Sequence, residues 1–202
     1  GDIGGHELLR KFDLVIANSG GSVLLGLICT NRTLSEIVTI YRTPEKLKRV
    51  FPRLRLFERF LERILRFVGL GPKYSTARKL TGLREVMSIS EKKNKKQIVD
   101  TYFNELPALI GKNENGRDLQ LVISAFDYFR ERVSFFRSDP NTAAARFSSR
   151  YFQVTLGEAI HASTNAPVSF YDRPATVNLD LLTTKEEDKD KRRSWFMDGG
   201  LT

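Results

Sequence analysis

The chain has one cysteine, two histidines and no long apolar run in its 202 residues. Cys29 alone cannot close an internal disulfide, so nothing points to an oxidising compartment. One cysteine with two histidines falls short of the four-ligand Cys/His sets of structural zinc, and no metal or other cofactor is expected. The longest apolar stretch, Val23 to Cys29, is far shorter than the ~20 residues a spanning helix needs. Negative charge is also scarce. The formal net charge is +9 and the isoelectric point about 9.8, which favours anionic partners: phospholipid surfaces, nucleic acid or acidic substrates. The chain starts at Gly1 without a methionine and stops at Thr202 inside a motif. It is expected to be part of a longer protein, cytoplasmic or peripheral to a membrane.

What is present is a globular composition, 41% hydrophobic and 28% charged, suited to one domain. Asp13 to Ala17 reads as a short buried strand and Ser22 to Thr30 as a buried helix. Thr33-Leu34-Ser35-Glu36 fits a capping box, so a further helix starts there, with Pro44 near its end. Residues 74–117 look helical at first and then polar, and Asn113-Glu114-Asn115-Gly116 is turn-like. Leu119 to Ala125 and Arg132 to Arg137 are strand candidates. Leu156 to Ser163 reads as a helix closed by Asn165-Ala166-Pro167. Ala175 to Leu179 and Ser194 to Met197 are short strands. Alternating strands and helices predict a layered α/β fold.

Residues 42–73 hold ten Lys/Arg against three Glu, a net of +7. Leu56, Phe57, Phe60, Leu61, Ile64, Leu65 and Val68 recur at helical spacing, with Arg55, Arg59 and Arg63 in a row beside them. One reading of residues 46–68 is an interfacial helix, its Phe57 and Phe60 in the lipid boundary and its arginines on phosphates. The other is a helix packed on the core with a solvated basic back. No nucleic-acid motif accompanies these charges, and no nucleic acid is expected. Phe126, Phe129, Phe135, Phe136 and Phe170 suit the core or an acyl-chain pocket.

Ala17-Asn18-Ser19-Gly20-Gly21 lies between the first strand and the first long helix. A serine there, flanked by small residues, has the form of a nucleophile elbow, with alanine in the first place of the usual G-x-S-x-G. Small neighbours let the chain reverse sharply and the helix pack close. The helix N-terminus aims free amides at a reacting carbonyl, and the Gly20 amide is placed for a developing oxyanion. The alternative is a serine that merely caps the helix. Asp198-Gly199-Gly200 sets a carboxylate at the end of the last strand, on a loop able to approach another backbone closely. As an isolated motif it is also a common surface turn. His6 reads as a surface residue.

The two motifs in this order resemble the patatin-like phospholipases. Phe12-Asp13-Leu14-Val15 is similar to that family's first-strand segment, and Leu121 to Phe136 to its internal strand pair. His161-Ala162-Ser163-Thr164-Asn165-Ala166-Pro167-Val168-Ser169-Phe170 is similar to its R-A-S-x-A-x-P-x-x-F segment. The resemblance implies a layered α/β/α domain over residues 1–202 with a mostly parallel sheet. Residues 42–118, where it is weakest, are expected to form a basic helical insertion. It implies a lipid acyl hydrolase of phospholipase A type working through a Ser–Asp dyad, Ser19 as nucleophile and Asp198 as base, without a catalytic histidine. The family's glycine-rich oxyanion loop has no counterpart here, and it is expected upstream of Gly1 with the strand that carries it. The substrate implied is a phospholipid or another acyl-ester lipid. Two alternatives are a catalytically inactive lipid-binding relative and an acyltransferase using the same acyl-enzyme.

Overall fold

The computed structural model describes residues 2–45, 48, 76–88, 97–139, 154–166, 171, 174–178 and 193–198. The expected basic helix, with Arg55, Arg59, Arg63, Phe57 and Phe60, lies outside these residues, as do Phe170, Gly199 and Gly200. The opening elements are α1 (Gly5–Leu9), β1 (Leu14–Ala17), α2 (Gly20–Cys29) and α3 (Leu34–Arg42). Then come α4 (Thr76–Met87), two 3-10 turns (Ile98–Asp100 and Phe103–Glu105) and α5 (Leu106–Ile110). The chain continues through β2 (Gln120–Asp127), β3 (Arg132–Arg137), α6 (Leu156–Ser163), β4 (Ala175–Asn178) and β5 (Arg193–Asp198).

Two helix starts are capped reciprocally. Thr33 Oγ1 accepts from the Glu36 amide at 3.4 Å while Glu36 Oε2 accepts from the Thr33 amide at 2.9 Å. Thr155 and Glu158 repeat the arrangement at 3.2 and 2.9 Å before α6, a capping box the apolar pattern had masked. The turn between β2 and β3 is built by Asp127. Its Oδ1 accepts from the amides of Phe129 and Arg130, and its Oδ2 takes the Arg130 guanidinium. The expected turn at Asn113 is held the same way, Oδ1 accepting from the amides of Asn115 and Arg117.

The five strands form one sheet, and its pairing decides where the site falls. Val122 and Ile123 pair with β1 (Ile16, Ala17) and with β3 (Arg137, Phe136). A strand has two edges, so β1 and β3 lie on opposite edges of β2. Ala125, Phe126 and Asp127 pair with β3 and also with β5 (Asp198, Met197, Phe196). β5 therefore shares the edge that β1 uses. β1 runs parallel to β2 and ends opposite Ile123, whereas β5 runs antiparallel and ends opposite Ala125. The C-terminal ends of β1 and β5 thus meet head to head across from Ser124.

The sheet is mixed rather than mostly parallel. Among the described strands only β1–β2 is parallel; β2–β3, β2–β5 and β4–β5 are antiparallel. A tight turn can join β3 to β2 only as an antiparallel neighbour. α6 packs across β2, β4 and β5 and touches both α2 and α4. Beneath it lie Leu121, Ile123, Phe136 and Phe196, all without exposure, the two phenyl rings 5.3 Å apart. Alternation sends the neighbouring side chains to the other face, where Ile16 is 64% exposed and Trp195 49%. The first strand is therefore half exposed, not buried as its continuous apolar sequence had suggested. Within residues 42–118, Leu83, Met87, Val99, Phe103, Leu106 and Ile110 belong to the core.

Candidate active site

The turn from β1 into α2 holds Ser19 at φ 48°, ψ −125°, a backbone region that an L-residue adopts only when its surroundings enforce it. Three hydrogen bonds do so. The Ser19 amide donates to Ser163 Oγ at 2.9 Å. The Ser19 carbonyl accepts from Ser22 Oγ at 2.6 Å. Ser124 Oγ donates to Asn18 Oδ1 at 3.0 Å, tying the turn to β2 at the gap between β1 and β5. Ser19 occupies the N-cap position, yet its side chain makes no capping bond. Instead Ser19 Oγ donates to Asp198 Oδ2. The reading of Ser19 as a mere helix cap is thereby set aside.

Asp198 closes β5 and is 8% exposed, and its amide donates to the carbonyl of Asn165 at 3.1 Å. Ser19 and Asp198 are 179 positions apart in the chain, and the head-to-head strands bring them together. Around Ser19 the elbow is approachable: Asn18, Gly20 and Gly21 are exposed while Ala17 is buried in the core. The Gly21 amide is occupied, donating to the Asn18 carbonyl at 2.8 Å. Among the described residues the Gly20 amide makes no hydrogen bond, so it has a proton to offer.

The expectation that the small neighbours of Ser19 serve close helix packing is corrected at Gly20 and Gly21. A Cβ built on Gly20 or Gly21 meets nothing within 4 Å, because the first turn of α2 faces open space. Close helix packing occurs further along, at Gly26. A Cβ there would stand 2.5 Å from Ile160 Cδ1 and 2.6 Å from Met87 Cε. The open space in front of Gly20 and Gly21 continues into a cavity of about 490 Å³ between α2 and α3, whose walls include Leu24, Ile37, Val38 and Tyr41.

Neither histidine shares in the hydrogen bond between Ser19 and Asp198. His6 is half-buried rather than on the surface, its Nε2 2.8 Å from the Cys29 carbonyl. His161 lies buried in α6, where burial and then the nearby Lys79 charge push its pKa well below the ordinary value. Cys29 is buried too, and burial pushes its thiol up to about 12, which makes it a poor nucleophile. Among the described residues no cluster of His, Cys, Asp and Glu could hold a metal ion. None of their helices is long and apolar enough to cross a membrane.

Sequence reasoning missed Ser163, Asn165, Ser124 and above all Lys79. Lys79 sits on α4 with no exposure, its Nζ donating to the His161 carbonyl at 2.9 Å and to Asn165 Oδ1 at 3.0 Å. A signal existed. Thr76, Lys79, Leu83, Val86 and Met87 fall at helical spacing, so a helix drawn over them puts a lysine on the buried stripe.

Comparison with curated proteins finds no matching relative. A profile of the patatin-like phospholipases matches residues 4–202, nearly the entire chain. With its α/β sheet, and with Ser19 and Asp198 brought together at the ends of β1 and β5, the chain belongs to the patatin-like phospholipase family.

Proposed function

We propose that this protein is a serine lipid acyl hydrolase of phospholipase A type. The observation that carries the reading is the hydrogen bond from Ser19 Oγ to Asp198 Oδ2, made by a serine in strained backbone at the N-terminus of a buried helix. Membership in a family of lipid hydrolases supports the same chemistry.

In this mechanism Ser19 Oγ attacks the ester carbonyl carbon as its proton passes to Asp198 Oδ2. The carbonyl oxygen becomes an oxyanion facing the Gly20 amide and the positive end of α2. Collapse breaks the ester C–O bond, and Asp198 returns the proton to the departing alkoxide. Water then loses a proton to Asp198 and attacks the acyl-enzyme, releasing the fatty acid and restoring Ser19. A carboxylate is a weak base for a hydroxyl. Direct contact and withdrawal from solvent therefore carry much of the task. The cavity between α2 and α3 starts at Gly20, so an acyl chain attached to the reacting carbonyl runs along Leu24, Ile37 and Val38.

For the membrane that presents such a lipid, the basic sequence of residues 46–68 supplies Arg55, Arg59 and Arg63 to meet anionic headgroups, at about 1 kcal/mol each. A fluorophosphonate probe tests the central claim. It must label the protein at Ser19, and labelling must vanish in Ser19→Ala. A folded protein that stays unlabelled sinks the enzyme reading and leaves a lipid-binding relative. Fatty acid release from phosphatidylcholine vesicles without an added acyl acceptor separates the hydrolase from an acyltransferase.

A further inference from the structure

The C-terminal end of α6 holds both halves of the dyad by their backbones. Ser163 Oγ accepts the Ser19 amide, and two residues later the Asn165 carbonyl accepts the Asp198 amide. Movement of this short segment would displace nucleophile and base relative to each other. A helix end is a poor anchor when left alone, because its last carbonyls lack intrahelical donors. The His161 carbonyl is one of these, and Lys79 Nζ satisfies it from α4 at 2.9 Å. The same amino group donates to Asn165 Oδ1 at 3.0 Å and lies 4.2 Å from the centre of the Tyr171 ring. Thr76, one turn earlier on α4, donates to the same Asn165 oxygen at 3.4 Å.

Nothing about packing alone calls for a lysine here. Burial disfavours its charged form and pushes its pKa well below the ordinary value, opposed by the attraction of Asp198. An apolar side chain of similar length would fill the space without that penalty.

We propose that Lys79 is a positioning residue whose amino group clamps the 161–165 segment and thereby keeps Ser19 and Asp198 in register. The role rests on the reading of Ser19 and Asp198 as nucleophile and base. Lys79 acts through His161, Asn165 and Ser163, and does not touch the reacting atoms.

The test compares Lys79→Met and Lys79→Gln with the wild-type chain by amide hydrogen exchange and by the rate of fluorophosphonate labelling. Losing two hydrogen bonds predicts roughly tenfold faster exchange at the Ser19 and Asp198 amides and roughly tenfold slower labelling in K79M. Amides of the β2–β3 ladder, which report global opening, should be unchanged. K79Q, which keeps an N–H donor, should recover part of both losses. A folded K79M with wild-type exchange at Ser19 and Asp198 overturns the clamp. So does exchange that rises equally in the β2–β3 ladder, since that is a merely structural effect. If the wild-type protein is not labelled while K79M still loosens those two amides, the enzyme reading fails and the clamp stands. Should K79M not melt cooperatively, Asn165→Ala removes one arm of the clamp; unchanged exchange at Asp198 in that variant also overturns it.

Discussion

Ser19, Asp198 and His161 show how little a residue's identity says before its surroundings are known. Asp198→Asn keeps the shape of the side chain and removes the proposed base. It should lower acyl-ester hydrolysis on the order of a hundredfold to ten-thousandfold while leaving the melting temperature nearly unchanged, a pairing that steady-state kinetics and calorimetry check together. His161 predicts a pH effect on stability. Its folded pKa lies well below the reference value of 6.5, so the folded state favours the neutral ring. Above 6.5 both states are neutral at this site and the full stability is present. As pH falls below 6.5 the unfolded chain binds a proton that the folded chain refuses, and stability declines toward the depressed folded value. One proton corresponds to about 1.4 kcal/mol per pH unit. Denaturant midpoints across this range should show that slope in the wild type and lose it in His161→Gln.

At the scale of elements, helix ends and close approaches decide stability, and the cavity between α2 and α3 is the proposed acyl path. Thr155→Ala removes the cap of α6, the helix whose end holds the Ser19 amide, and should cost about 1 kcal/mol in denaturant unfolding. Gly5→Ala should do more harm. Its added Cβ would stand 2.1 Å from the carbonyl oxygen of Ile28, a backbone atom that cannot swing aside as a side chain does. A loss of about 1–3 kcal/mol is expected from such overpacking. In the cavity, Val38 is 46% exposed and can accept bulk. Val38→Trp should shift preference from long-chain to short-chain p-nitrophenyl esters without altering labelling of Ser19 by a small fluorophosphonate. Equal preference across chain lengths would remove this cavity as the acyl path.

For the whole molecule, the proposed contact with an anionic membrane rests on the +9 charge. Binding to vesicles containing phosphatidylserine should weaken as salt rises and weaken further in Arg55→Gln/Arg59→Gln/Arg63→Gln, measured by cosedimentation. A triple variant that binds like the wild type would assign residues 46–68 to packing instead. The open face of the sheet, with Ile16 and Trp195 exposed, is a separate apolar feature that this charge does not explain.

Much of the local structure was legible in the sequence. Apolar runs located β1, β2, α2 and α6, and Thr33 with Glu36 marked the start of α3, because periodicity and capping are local physics. The two motifs named Ser19 and Asp198 before any distance was known. Strand direction was not legible, since parallel and antiparallel neighbours have similar apolar runs, and the sheet expected to be mostly parallel is mixed among the described strands. Nor was the burial of β1, because exposure depends on what covers a face. The buried Lys79 stayed hidden because its role exists only when α4 meets the end of α6. The sequence by itself singled out Ser19 and Asp198 as the candidate pair. Tertiary structure alone decided that they meet: β1 and β5 share one edge of β2 and end at Ser124, so residues 179 positions apart stand within a hydrogen bond.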